Sequence, residues 1–248
     1  MATSYDVRIR DAIAAIGNLD RRLREEYILI GGASLICLGS TRATSDIDLL
    51  VPGTSIALIA PSLVQSPDFS YRAGAISIKA GEIEFPVDIL VKVVDDLTFE
   101  DLEPFTITIQ DGIRTLDFPI ALGIKIRCFY LRNDETSAGL EKQRSDLYDI
   151  RFICGKMEEA SRVVDDIVAK AIRVGCYNMA LVKHALEESG DLAVFLSVGG
   201  TKFQVPWEED TEDQREYFAL LEADDEEIEG PSDAGEEVGG NINPRHWC

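Results

Sequence analysis

Two aspartates stand one residue apart in the run "DIDLLV", at positions 46 and 48, and a third stands in "FPVDILV", at position 88. An extended strand turns alternate side chains to one side, so Asp46 and Asp48 share a face while Ile47 and Leu49 enter the opposite one. Carboxylates this close repel each other unless a cation lies between them. Mg²⁺ suits that place, being a hard cation that takes one or two carboxylates together with substrate phosphates. With 45 acids in 248 residues, about eight acid-x-acid pairs arise by chance, so the pair counts for little without its context. Most such pairs occupy hydrated helices or tails; this one is flanked by "LLV". Around the third aspartate, Phe85, Val87, Ile89 and Val91 share one parity, and Asp88 shares the other with Leu90. Three aspartates on two strands that can be neighbours form a candidate two-metal cluster, suited to holding the attacking and leaving oxygens of a phosphoryl displacement. The bland alternative for Asp88 is a buried, hydrogen-bonded acid.

A Gly-Gly pair, Gly31-Gly32, and a Gly-Ser pair, Gly39-Ser40, precede the aspartates. Glycine lets a backbone approach a ligand, and amides and a hydroxyl at such a turn can hold a phosphate, although plain turns use the same residues. The Gly-Lys-Ser/Thr ending of a Walker loop is missing, and the dinucleotide fingerprint is not matched. Only two histidines occur, His184 and His246, with no close Cys/His cluster, which disfavours a zinc site or Ser-His-Asp catalysis. Asp146 and Asp149 follow Lys142 and Arg144 on one helix and read as surface ion pairs of small worth, the functional alternative being a contact to substrate from the second half.

The elements that position these residues follow from periodicity. "YDVRIRDAIAAIGNLDRRLREE" reads as a first helix, "YILIGG" as a short buried strand, "ASLICLGS" as a short helix and "DIDLLVP" as a second strand. "SIALIAPSLVQ" reads as a helix interrupted by Pro61, "AISIKAG" and "IEFPVDILVKVV" as strands, and "FTITIQDGIRTLDFP" as a hairpin around Asp111-Gly112. "PIALGIKIRCFYLR" opens with proline at a first helical turn, and "GLEKQRSDLYDIRFICGKM", "EASRVVDDIVAKAIRVG", "YNMALVKHALEES" and "DLAVFLSVG" read as further helices. The expected organisation is an α/β core over 1–118, a helical region over 119–206 and an acidic, largely disordered tail over 207–248.

Composition narrows the function. From Trp207 to Cys248 there are 15 acids against Arg215 and Arg245, a net of −13, which leaves −8 for the first 206 residues of a chain at −21. Extended nucleic acid is disfavoured by that balance, although a local basic patch around Lys125, Arg127 and Arg132 would suffice for an RNA end. No apolar run reaches the roughly 18 residues of a membrane span. Five scattered cysteines (Cys37, Cys128, Cys154, Cys176 and Cys248) suit a reducing compartment, and the N-terminus lacks the basic head and apolar core of a secretory signal. The expected location is intracellular, in cytoplasm or nucleus.

In order, the Gly-Gly pair, short helix, Gly-Ser pair, spacer, Asp-x-Asp strand and later strand carboxylate resemble the nucleotidyltransferase superfamily, the DNA polymerase beta-like fold. Arg42, Thr44 and Asp46-Ile47-Asp48 look particularly like the minimal and abortive-infection toxin-type branch, and the whole chain is similar to fungal members of that group. The motif portion covers residues 27–91; Lys125 and "KQRSDLYDIRFI" are similar to lysine and Asp-rich helices further along that branch. The resemblance implies an α+β fold, a mixed β-sheet flanked by helices, followed by the helical half. It implies transfer of a nucleoside monophosphate from an NTP, ATP first among candidates, to a hydroxyl of a protein, a small molecule or an RNA end such as tRNA. Asp46, Asp48 and Asp88 would bind two Mg²⁺ (or Mn²⁺) ions, and Asp88 would also help deprotonate the acceptor. Gly31, Gly32, Gly39 and Ser40 would surround the nucleotide, with Gly39 and Ser40 on its triphosphate. Lys125 would contact the triphosphate or remain a solvated helix lysine, and Arg42 would reach a phosphate or pair with an acid. A non-catalytic nucleotide- or partner-binding protein on the same fold is the alternative.

Overall fold

The computed structural model describes residues 4–17, 26–55, 61, 63, 65–72, 75–109, 112–132 and 135–205. The expected acidic tail, most of the helix read in "SIALIAPSLVQ" and Asp111 of the hairpin turn lie outside those residues.

Alternating apolar residues in the first half produce strands β1 (Ile28–Ile30), β2 (Ile47–Leu50), β3 (Phe69–Arg72), β4 (Ala75–Ala80), β5 (Ile83–Leu90), β6 (Thr106–Thr108) and β7 (Arg114–Leu116). They form one mixed sheet in the order β3-β4-β5-β2-β1-β7-β6. Strand β2 runs antiparallel to β1 and parallel to β5, and β1 runs parallel to β7. The expected hairpin is present as the antiparallel pair β6–β7, with Gly112 at φ 72°. Strand β3 has no counterpart in the sequence reading. It is short and polar after Phe69, and only its pairing with β4 defines it.

The sheet is covered on both faces, and strand parity decides which residue goes where. Helix α1 (Ser4–Gly17) packs Ile9, Ile13 and Ile16 against Leu29, Ile47 and Leu49. The opposite face sends Ile28, Ile30 and Leu50 into a core shared with Ile120, Ile126 and Ile150. Two short helices stand between the strands, α2 (Gly31–Cys37) after β1 and α3 (Phe99–Leu102) before β6. Ile120, Ile126 and Ile150 belong to α4 (Phe118–Leu131) and α5 (Ser137–Glu159), so the helical half is built directly onto the sheet.

Helix starts follow the capping rules. Asp117 accepts from the Phe118 amide with Pro119 in the first turn of α4, and Thr136 accepts from the Gly139 amide at the start of α5. One boundary differs from expectation. The segment "EASRVVDDIVAKAIRVG" is not one helix: α5 runs on to Glu159, Ser161 takes φ 52°, and α6 covers only Asp166–Ala171. Asp165 sets that restart by accepting from the Ile167 and Val168 amides, a local competitor that periodicity alone does not weigh. Helices α7 (Cys176–Glu188) and α8 (Leu192–Ser197) complete the second core. Among the described residues no helix is long and apolar enough to cross a membrane.

Candidate active site

Asp48 and Asp88 are direct partners in the parallel ladder between β2 and β5. Ile47 and Leu49 enter the α1 core, so Asp48 is turned to the other face, and the Val87–Ile89 flank does the same for Asp88. Asp46 lies one residue before β2, and its Oδ1 accepts from the Thr44 hydroxyl at 2.9 Å. Each of the three carboxylates offers an oxygen within 4.8 Å of those of the other two. Among the described residues no ion pair engages any of them.

The two glycines of "IGG" are explained by this cluster. Gly31 and Gly32 begin the short helix α2 (Gly31–Cys37) that follows β1. Gly31 takes φ +69°, and a Cβ there would stand 2.2 Å from Asp48 Oδ2. A Cβ on Gly32 would stand 2.5 Å from Arg42 Nη2 and 2.6 Å from Thr44 Oγ1. Both positions therefore leave room for the side chains that build the carboxylate cluster. Gly31→Ala is expected to force the Asp48 carboxylate aside and to strain the backbone, costing about 1–3 kcal/mol of stability. Chemical denaturation would read the stability loss, and a Mn²⁺ titration would show weaker metal binding than in the parent chain.

Gly39 and Ser40 are placed elsewhere. The Gly39 amide donates to the Ile36 carbonyl at 3.1 Å and the Ser40 amide to the Leu35 carbonyl at 2.8 Å, with Gly39 at φ +102°. That is a Schellman C-terminus for α2. Ser40 is buried and its Oγ accepts from the Arg42 amide at 3.3 Å. The expectation that this pair holds the triphosphate thus meets a helix stop that does not line the cleft, whereas Gly31, Gly32, Arg42 and Lys125 do.

The cleft has a volume of about 910 Å³ and lies between the carboxylate edge of the sheet and helices α4 and α5. Its helical wall contains a buried ion network. Asp149, 0 % exposed, accepts from Arg42 Nε at 2.8 Å and Nη2 at 3.1 Å, and from Lys125 Nζ at 2.9 Å. Asp146, 1 % exposed, accepts from Lys125 Nζ at 3.0 Å and Arg132 Nε at 2.7 Å. The reading of Asp146 and Asp149 as surface pairs is therefore corrected: they are interior acids, and their partners come from α4 and from the loop before β2. The signal was in the spacing. Asp146, Asp149, Ile150, Ile153 and Met157 are buried together on α5, at intervals of three and four. Nor do Lys125, Arg127 and Arg132 make an open basic patch, because Asp146 holds two of them and Arg127 donates to the Arg173 carbonyl. Lys142, missed as a site residue, is exposed, lines the cleft from α5, and is engaged by no ion pair among the described residues.

Electrostatics follow the geometry. Burial, and then the neighbouring charges of Asp46 and Asp88, push the Asp48 carboxyl from 3.8 up to about 7, against the opposing pull of Lys125 and Lys142. Burial alone would lower the Lys125 ammonium, but Asp146 and Asp149 outweigh it and raise its pKa, so this lysine stays charged. For Asp48 the sign is clear. Between about pH 4 and 7 the folded chain holds a proton that the unfolded chain has lost, so stability falls by up to about 1.4 kcal/mol per pH unit. In chelator, Asp48→Asn is expected to flatten that decline, which denaturant titrations at a series of pH values would measure directly.

A scan of the chain against protein-family models finds no match, and a search against curated proteins finds none either.

Proposed function

We propose that the protein is a Mg²⁺-dependent nucleotidyltransferase that moves a nucleoside monophosphate from an NTP to a hydroxyl acceptor. One observation carries this reading: Asp48 and Asp88 on adjacent strands, and Asp46 just before one of them, converge within 4.8 Å in a cleft that Lys125 and Lys142 line from the helical side. The donor set fits a hard divalent ion. It offers three carboxylates and no competing soft ligand, and burial, followed by repulsion from Asp46 and Asp88, raises the Asp48 pKa. Mg²⁺ or Mn²⁺ bound there would supply electrostatic stabilisation of the charge that gathers on the phosphoryl oxygens.

The chain's own groups supply the rest. In the transfer, the acceptor oxygen bonds to the α-phosphorus, the bond to pyrophosphate breaks, and the acceptor proton passes to Asp88. Lys142 offers its ammonium to the polyphosphate. Lys125 spends two of its three donors on Asp146 and Asp149, which leaves one for a phosphate oxygen. Leu90, Val93, Val94 and Ile124 give the cleft an apolar wall that excludes water from one side. The volume accommodates a nucleotide with a small acceptor or a chain end.

The test is direct. The full chain is incubated with Mg²⁺ and each of the four labelled NTPs, and pyrophosphate release and self-labelling are followed. Pyrophosphate is expected. Inorganic phosphate alone would mark hydrolysis. Silence with all four nucleotides, and no calorimetric binding, would leave a non-catalytic protein on this fold.

A further inference from the structure

The segment from Leu38 to Asp46 carries one of the three carboxylates yet contains no helix or strand. Its anchorage comes from outside. Arg42 reaches across to α5, where Asp149 receives its Nε and Nη2 in a two-pronged contact. One residue earlier on α5, the Tyr148 hydroxyl meets Thr41 Oγ1 at 3.0 Å. Arg42 Nη1 also donates to the Ala43 carbonyl at 3.3 Å. Beside it, Thr44 holds Asp46 by its hydroxyl, and Arg42 and Thr44 together occupy the space left open by Gly32.

We propose that Arg42 and Asp149 form a clasp by which α5 fixes the loop over 39–46, making Asp149 a positioning residue for Asp46. The inference rests on the metal-site reading for its consequence, but not for its geometry. Arg42 is a strut here: three of its five N–H donors are committed to Asp149 and Ala43, so it braces the loop. The planar fork of the guanidinium is what makes this rigid, since a lysine can satisfy only one carboxylate oxygen at a time from that position. The buried ion network thereby ties the helical half to the carboxylate cluster. A shift of α5 would be transmitted to Asp46 through three consecutive loop residues.

Two readouts on the full chain test the clasp. Amide hydrogen exchange over 39–46 needs no metal; Mn²⁺ binding followed by electron paramagnetic resonance reports the cluster. Arg42→Met is expected to speed exchange in the loop by about tenfold or more and to weaken Mn²⁺ binding by a similar factor. Arg42→Lys is expected to restore part of both. Tyr148→Phe, which keeps the ring and removes only an exposed contact, is expected to shift both in the same direction by a smaller amount and guards against a general folding defect. Unchanged loop exchange in Arg42→Met would overturn the clasp, as would faster exchange with unaltered Mn²⁺ affinity. A parent chain that binds no Mn²⁺ would instead overturn the metal reading, and the exchange experiment would still decide the clasp.

Discussion

Asp46→Ala is expected to abolish the proposed metal-dependent nucleotide binding, to lower pyrophosphate release on the order of a thousandfold, and to leave the fold in place. The size of the effect would follow from the cluster acting as a unit: with the oxygens within 4.8 Å of one another, losing one donor would deprive the proposed ion site of a shared anchor. The tolerance of the fold follows from position. Asp46 precedes β2 and is partly exposed, and its Oδ1 accepts from the Thr44 hydroxyl, a contact worth about 1 kcal/mol. In the metal-free chain its removal also relieves repulsion on Asp48. Mn²⁺ titration beside a thermal melt separates the two expectations. Undiminished Mn²⁺ affinity in a folded variant would remove Asp46 from the metal site.

Asp149→Ala has the largest expected effect on stability. It leaves the Arg42 guanidinium and the Lys125 ammonium facing a void at a position that is 0 % exposed. Stripping one partner from a buried ion network costs about 3–5 kcal/mol, because the desolvated charges that remain have lost their counter-charge. The expected observation is a large fall in the urea midpoint with little change in slope. Asp96→Ala provides the contrast. Its partner Lys92 and Asp96 itself are both exposed, and such surface pairs contribute about 0–1 kcal/mol. Equal losses in the two variants would show that the Asp149 network is solvated.

Much of this was legible in advance where one physical rule dominated. Asp48 and Asp88 were placed by strand parity, because an apolar neighbour on each side fixes which way a carboxylate points; Asp46 lies before the strand, between Ser45 and Ile47. The glycine pair at 31–32 was read as room for a ligand, whereas the atoms that approach it belong to Asp48, Arg42 and Thr44. Gly39-Ser40 misled because a helix stop and a phosphate turn draw on the same residues. Asp146 and Asp149 were misjudged because their neighbours Lys142 and Arg144 supplied ready local partners. The real partners lie more than twenty positions away for Lys125 and Asp146, and 107 for Arg42 and Asp149. Strand β3 was missed because a short polar strand carries almost no periodic signal of its own.

The pairing of Asp48 with Asp88 across a parallel ladder has one last implication, for how this protein can vary. Inserting or deleting a single residue in β2 would exchange the roles of its two sides: isoleucine and leucine would be driven into the cleft and aspartates into hydrocarbon. The reactive centre and the interior are thus encoded by one frame, and a slip in it is lethal to both at once. Lineages of such a chain are expected to tolerate almost no length change from Ile47 to Leu50.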